Sequence, residues 1–379
     1  MRPADSPRNP RALNPGAWWL WAAGLAIAAS RTLNPILLLL IAAVAGFVVA
    51  ARRSDAPWAR SYAVFVKVAL VVIAIRVVLQ SVLGTYSQGS HVLVTLPELP
   101  LPDAVRGIKI GGVVSWEAVL SALYEGGQLG VMLICIGAAN ALASPLRLLR
   151  LLPGALYEVQ VACVVALTFA PQLVADARRV HAARRLRGQR VRLRSIFRTT
   201  MLPVLEGALD RCVELAAAME SRGFGRTRHL SRTARITTSA VSLAGLAGVT
   251  VGLYGMLSAS LPGISAVLIL LLGMGLLVGA LILGRRRAVR SRYRPDPWAL
   301  PEWLVAACGL IPAGVLVWCS MNGVGGLKQP SALSLPTLEP LPLVAILVAL
   351  LPAIVSPRQP VAAEPVATPR PEPAAEVAA

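Results

Sequence analysis

Two short phrases hold the residues best suited to recognition chemistry: Leu186-Arg187-Gly188 and Ser221-Arg222-Gly223. Each ends a helical pattern. Gly takes the left-handed conformation that closes a helix, and Arg complements the negative end of the helix dipole. A guanidinium held at such an end is a charge-assisted, forked hydrogen-bond donor. Alone, either phrase reads as an ordinary C-cap. Two of them, 35 positions apart on one basic platform, read as matched docking points.

Other chemistries lack their residues. No GxxxxGK[ST] phosphate loop occurs, and only Lys67, Lys109 and Lys328 are available to serve one. No HExxH, paired-carboxylate or nucleophile-elbow pattern stands out, so no catalytic residue, cofactor site or metal site is assigned. His91, His181 and His229 are scattered. Cys135, Cys163, Cys212, Cys308 and Cys319 show no CxxC spacing and read as buried free thiols. Arg76 lies in an apolar run, where an unpaired charge costs about 2.5–3.5 kcal/mol on insertion scales. Glu125, in the next such run, is its candidate partner, and a structural pair is favoured over a transport site.

The elements that must position these residues are mostly membrane helices. With 56% hydrophobic and 15% charged residues, the chain is too apolar for an ordinary soluble domain, and several runs are long enough to span a bilayer. A net charge of +19 would suggest nucleic acid in a soluble protein. Here the positive-inside rule accounts for it, and only Phe197 and Phe224 interleave the basic stretch, so nucleic acid is not expected as a partner. The expected fold is an all-α integral membrane protein of about eight transmembrane helices with a cytoplasmic helical domain.

Residues 1–16 read as a cytoplasmic arm, without the pattern of a signal peptide. Residues 17–143 hold four spans: 17–29, opened by an aromatic anchor of Trp18, Trp19 and Trp21; 36–51, after an Asn34-Pro35 turn; 62–83; and 116–143. The segment 84–115 reads as an external loop. That cytoplasmic domain is placed at 144–235. Its stretch 176–235 carries 15 arginines against five acidic residues. Within the domain, 155–174 is apolar enough to cross but lies between basic clusters and contains Pro171. The charge rule favours an interfacial helix there, a lid on the platform. A basic helix follows at 176–187 and a long one at 200–222. On the long helix, Leu202, Leu205, Leu209, Cys212, Ala216 and Met219 form a predicted packing seam. Glu206, Asp210 and Glu214 read as a solvated face. The remaining four spans lie within 237–355 (237–258, 264–283, 304–320 and 341–355), and 356–379 is a Pro/Ala/Glu-rich tail expected to be disordered. This arrangement puts both termini and every dense Arg cluster in the cytoplasm.

The platform also carries a resemblance. The runs Phe169-Ala-Pro-Gln-Leu, Ala183-Arg-Arg-Leu-Arg-Gly188, Pro203-Val-Leu-Glu-Gly-Ala-Leu-Asp-Arg211 and Ala217-Ala-Met-Glu-Ser-Arg-Gly-Phe224 closely resemble the T component, EcfT- or CbiQ-like, of energy-coupling factor (ECF) ABC transporters. The match covers about residues 140–224, and Arg292-Tyr-Arg-Pro-Asp-Pro-Trp298 is similar to the actinobacterial branch. Family members usually read Ala-Arg-Gly or Ala-Arg-Ser; Leu186 and Ser221 replace the Ala here. The resemblance implies a non-catalytic subunit in a bacterial cell membrane, with 144–235 as its cytoplasmic helical coupling domain. Its two helix ends, Leu186, Arg187, Gly188 and Ser221, Arg222, Gly223, would dock on two ABC-type ATPase subunits or one fused ATPase. ATP and magnesium would bind in those partners, and a small membrane S component would carry the cargo, a vitamin or a transition-metal ion such as cobalt. The pair of spans at 237–283 is extra relative to the shortest family members. Two other classes compete: a secondary transporter with Arg76 and Glu125 on its path, and a membrane enzyme acting on anionic lipid carriers.

Overall fold

The computed structural model describes residues 13–52, 61–83, 91–99, 110–149, 151, 156–188, 200–224, 232–258, 263–285, 298–323, 326–327 and 338–356. The N-terminal arm up to residue 12, Arg53 and Arg60, the arginines at 190–198 and 286–294, and the tail beyond Ser356 lie outside these residues. In chain order the elements are α1 (Pro15–Ser30), α2 (Pro35–Arg52), α3 (Ser61–Leu83), β1 (Val92–Leu99), β2 (Ile110–Ser115), α4 (Trp116–Leu142) and α5 (Pro145–Leu149). There follow α6 (Tyr157–Leu186), α7 (Leu202–Ser221), α8 (Arg232–Ser258), α9 (Gly263–Arg285), α10 (Leu300–Met321), α11 (Pro340–Val348) and α12 (Pro352–Val355). Two compact units result: Met1–Arg147 with Asp296–Ala379, and Leu148–Pro295.

Seven of these helices are long and apolar enough to cross a membrane: α2, α3, α4, α6, α8, α9 and α10. The chain is therefore a predominantly helical, multi-pass membrane protein. The expected set of eight differs from these seven at three places. Helix α1 has 16 residues, about 24 Å, short of a bilayer's apolar thickness. The expected last span, 341–355, is broken into α11 and α12. Helix α6 enters the set by its length.

In the first unit, two Asn-Pro pairs start helices by the same device. Asn14 Oδ1 accepts from the Gly16 N–H at 3.0 Å, and Asn34 Oδ1 accepts from the Ile36 N–H at 3.0 Å. Each satisfies a donor that the first helical turn leaves free, while the following Pro has no donor to lose. The anchor expected of Trp18 and Trp21 is corrected: both are fully buried, edge-to-face, in the core with Leu25, Leu37, Ile41 and Leu316. Their indoles face α1's neighbours because α1 and α10 approach very closely. A Cβ on Gly24 would lie 2.1 Å from the Gly309 carbonyl oxygen, and one on Gly309 would lie 2.3 Å from Trp21 Cα. Only glycine allows backbones so near.

The helix break between α11 and α12 is accommodated by side chains from elsewhere in the unit. The N–H groups of Ala349, Leu350 and Leu351 bond three residues back, and Pro352 brings no donor to continue the ladder. Trp21 Nε1 donates to the Ala349 carbonyl at 3.2 Å. Arg52 donates to the Ala353 carbonyl from Nε (2.8 Å) and to the Ile354 carbonyl from Nη2 (3.1 Å). A helix break leaves carbonyls without ladder donors, and these side chains supply them. At the turn after α1, Gln128 Nε2 lies within hydrogen-bond reach of the carbonyls of Ala29, Ser30 and Thr32.

The stretch expected to be an external loop contains the one strand pair among the described residues. Strands β1 and β2 pair antiparallel, with Thr95 opposite Val113 and Val94 opposite Val114. The β-branched residues Val92, Val94 and Thr95 on β1 and Ile110, Val113 and Val114 on β2 favour this pairing, and Ser115 then caps α4 by accepting from the Ala118 N–H at 3.3 Å.

In the second unit, α8 and α9 pack backbone to backbone. A Cβ on Gly273 would fall 2.5 Å from the Val249 nitrogen, and one on Gly248 would fall 2.9 Å from Gly273 Cα. Small residues thus replace hydrophobic burial as the source of close packing between two apolar helices.

Candidate partner-docking site

The two Arg-Gly phrases end two helices of the second unit, α6 and α7. The expected division into an interfacial helix (155–174) and a basic helix (176–187) is corrected: α6 runs unbroken for 30 residues, about 45 Å. Pro171 lies inside it. Proline removes one i→i−4 bond, and the good helix formers around it, Ala170, Ala175 and Ala177, carry the helix through.

The two helix ends match in conformation. Arg187 has φ −83° and ψ 8°; Arg222 has φ −86° and ψ 6°. Gly188 and Gly223 follow, both at φ 72°. The Gly188 N–H donates to the Arg185 carbonyl at 3.1 Å, and the Gly223 N–H to the Glu220 carbonyl at 2.8 Å. At the second end, the Phe224 N–H also donates to the Met219 carbonyl at 3.0 Å, completing a Schellman motif. Glycine is required at both positions because a Cβ in the left-handed region meets the adjoining carbonyl. Leu186, Arg187, Gly188, Ser221 and Arg222 are exposed and Gly223 is half-buried, with Leu186 89% accessible. An apolar side chain standing that far into solvent at a helix tip is a candidate for burial against another molecule.

Helices α6 and α7 run antiparallel. The Tyr157 ring, at the start of α6, lies 5.7 Å from the Phe224 ring at the end of α7. Between the ends, Arg211 Nη1 donates to Asp176 Oδ2 at 2.6 Å, and Arg179 reaches Asp176 Oδ1 at 3.4 Å. Asp176 is largely enclosed (17% accessible) and Arg211 half so (38%). The two Arg-Gly tips therefore point to opposite ends of the helix pair.

The predicted seam on α7 is also corrected. Leu202, Leu205, Leu209, Cys212 and Ala216 are exposed, Leu209 by 66%, and only Met219 of the six is half-buried. The covered face is instead Val204, Ala208, Arg211, Leu215 and Met219. Arg211 faces α6, where it meets Asp176, and the leucines lie off that face. Glu206, Asp210 and Glu214 are exposed.

Arg76 and Glu125 belong to the first unit. They meet between α3 and α4, where Arg76 Nη2 donates to Glu125 Oε2. Gly126 makes room for the arginine stem: a Cβ there would lie 3.3 Å from Arg76 Cβ. Opposite charges on adjacent apolar helices neutralise each other where solvation is weakest.

Sequence reading missed Asp176, Arg211, Tyr157 and Phe224 as the contacts that orient the two tips. One signal was available: Asp176 and Arg211 are separated by 35 positions, the spacing of the Arg-Gly phrases themselves. In comparisons with known proteins, no family model and no curated protein matches the chain.

Proposed function

We propose that this chain is the membrane-embedded T component of an energy-coupling factor ABC importer of actinobacterial type. In this reading it sits in a bacterial cell membrane with both termini in the cytoplasm and catalyses nothing itself. Two ABC-type ATPase subunits, or one fused ATPase, receive Arg187 and Arg222 and bind ATP and magnesium. Their motion passes through α6 and α7 to a small substrate-binding S component, which delivers a vitamin or a transition-metal ion. The observation that carries the reading is the pair of helix ends with the same cap conformation, each presenting an exposed Arg before a left-handed Gly. Support also comes from the closed Arg76–Glu125 pair, which leaves neither charge as an evident cargo ligand.

The test is nucleotide hydrolysis by the purified chain. Alone, in lipid, it should show no ATPase activity above that of a mock purification; co-expressed ABC ATPases should co-purify with it and hydrolyse ATP. Turnover that follows the isolated chain through successive columns would sink the reading.

A further inference from the structure

Where α1 stops, the first unit carries a polar recess of about 350 Å³ that the docking reading does not use. Arg31, Thr32 and Leu33 from the turn after α1, Gln128 from α4, and Cys319 and Ser320 from the end of α10 line it. Its depth follows from helix lengths. Helix α4 joins the core only beyond Gln128, through Val131, Cys135, Ala138 and Leu142. From Gln128 to Leu142 is about 21 Å, and α1 alongside spans about 24 Å. Both fall short of an apolar layer about 30 Å thick, so the recess lies inside that layer or at its border. The first 12 residues of α4, from Trp116, rise about 18 Å past it.

The hydrogens of the floor are spent within the protein. Gln128 Nε2 faces the carbonyls of Ala29 (3.1 Å), Ser30 (2.9 Å) and Thr32 (3.2 Å). Thr32 Oγ1 donates to the Leu327 carbonyl at 3.3 Å, and the Leu33 N–H donates to the same oxygen at 2.9 Å. Ser30 Oγ donates to the Ile27 carbonyl at 2.7 Å. Two side-chain donors are left without a protein acceptor among the described residues: the Arg31 guanidinium and the Ser320 hydroxyl, both exposed. No carboxylate among the described residues lines the recess. Glu339 is close enough to Cys319 to act on it electrostatically, yet it forms no ion pair with Arg31.

Arg31 is the C-cap of α1, and the helix dipole offers it a partial charge from carbonyls already bonded to Gln128 and to the turn. That leaves the forked donor face of the guanidinium unmatched. A full charge at this depth is stabilised by an anion. The anion that a membrane presents at its apolar border is the phosphate of a phospholipid, and arginine binds phosphate as a fork. Leu33 and Leu327 add apolar walls that suit the glycerol and first methylenes of such a lipid.

We propose that the recess is a lipid-headgroup site in which Arg31 and Ser320 hold the phosphate of a membrane phospholipid. Gln128 is a positioning residue: by gathering three carbonyls it fixes the turn that carries Arg31. The site needs nothing from the ATPase-docking reading and is tested apart from it.

The test is local photocapture on the full chain, purified in a maltoside detergent and stripped of lipid. The probe is Met321→benzoylphenylalanine, at an 82% accessible position beside Ser320. Phosphatidylglycerol, or a galactosyl diacylglycerol with the same acyl chains, is added at equal mole fraction, and lipid joined to the α10 peptide is counted by mass spectrometry. The parent should capture phosphatidylglycerol at least about tenfold more than the galactolipid. Arg31→Gln should abolish that preference. Arg31→Lys keeps the charge at the helix end but loses the fork, and should retain at most about a third of it. Ser320→Ala should reduce it, and Arg178→Gln, an exposed arginine of α6, should leave it unchanged. Fluorescence of the buried Trp18 and Trp21 checks that each variant is folded. Equal capture of the two lipids by the parent, or a preference that survives Arg31→Gln, would overturn the proposal. Glycerophosphoglycerol, the same headgroup without chains, should not displace the lipid at equal concentration; displacement would overturn the lipid assignment in favour of a free phosphate ester.

Discussion

The contact between α1 and α10 yields the sharpest stability prediction. A methyl group on Gly24 would sit 2.1 Å from the Gly309 carbonyl oxygen and 2.5 Å from its carbon. Carbon and oxygen rest at about 3.5 Å, so the helices must separate by more than about 1 Å. The obstacle is backbone and cannot rotate away. Overpacking of this kind costs about 1–3 kcal/mol, offset by up to about 1 kcal/mol because Ala is the better helix former. Separation would also loosen the buried packing of Trp21, Leu25 and Leu316 around it. Gly24→Ala and Gly309→Ala should each lower the thermal midpoint of the purified protein in detergent. The double change should cost less than the sum, because both methyls relieve their clash by one displacement. Gly314→Ala, on α10, is the control: an added methyl there would meet nothing within 4 Å, so the change should be neutral or stabilising. Equal midpoints for all three single variants would refute the close approach.

The left-handed caps predict that Gly188→Ala and Gly223→Ala speed amide hydrogen exchange in the last turns of α6 and α7, each at a conformational cost of about 1–2 kcal/mol. Asn, which tolerates that region, should do so less; equal effects of Ala and Asn would remove the argument. For topology, Cys placed at Ser144 and at Thr227 should react with impermeant reagent from the cytoplasmic side only. Labelling from opposite sides would mean that α6 crosses the bilayer.

How much of this could be read in advance depended on where the deciding contact lay. The start of α2 was legible because Asn34-Pro35 is a local signal, and the Arg-Gly ends because a left-handed cap needs Gly at one position. The rotation of α7 was not. Its leucines recur at helical spacing, and the residue that overrides them, Arg211, takes its meaning from Asp176 on another helix. Trp18 and Trp21 suit a membrane face and a tight core equally well, and Gly24 and Gly309, 285 positions apart, decide between the two. Pro171 signals a break, yet a helix can lose one bond and continue. Strands β1 and β2 are joined across residues 100–109, and the turn residues in and beside this stretch, Pro97, Pro100, Pro102 and Gly111-Gly112, read equally well as a loop.

The central claim, that Arg187 and Arg222 are the docking points, is tested most directly by retention of ABC-type ATPase subunits on a tagged chain. Truncating one member of a charge pair that becomes desolvated in a complex strands the other, so Arg187→Ala or Arg222→Ala should weaken retention about thirtyfold or more. The double variant should retain nothing measurable. Arg178→Ala and Arg185→Ala, exposed on the same helix as Arg187, should retain the ATPases as the parent does. Equal losses at all four positions would mean a diffuse basic surface, and full retention by the Arg187 and Arg222 variants would leave the two ends as simple helix caps.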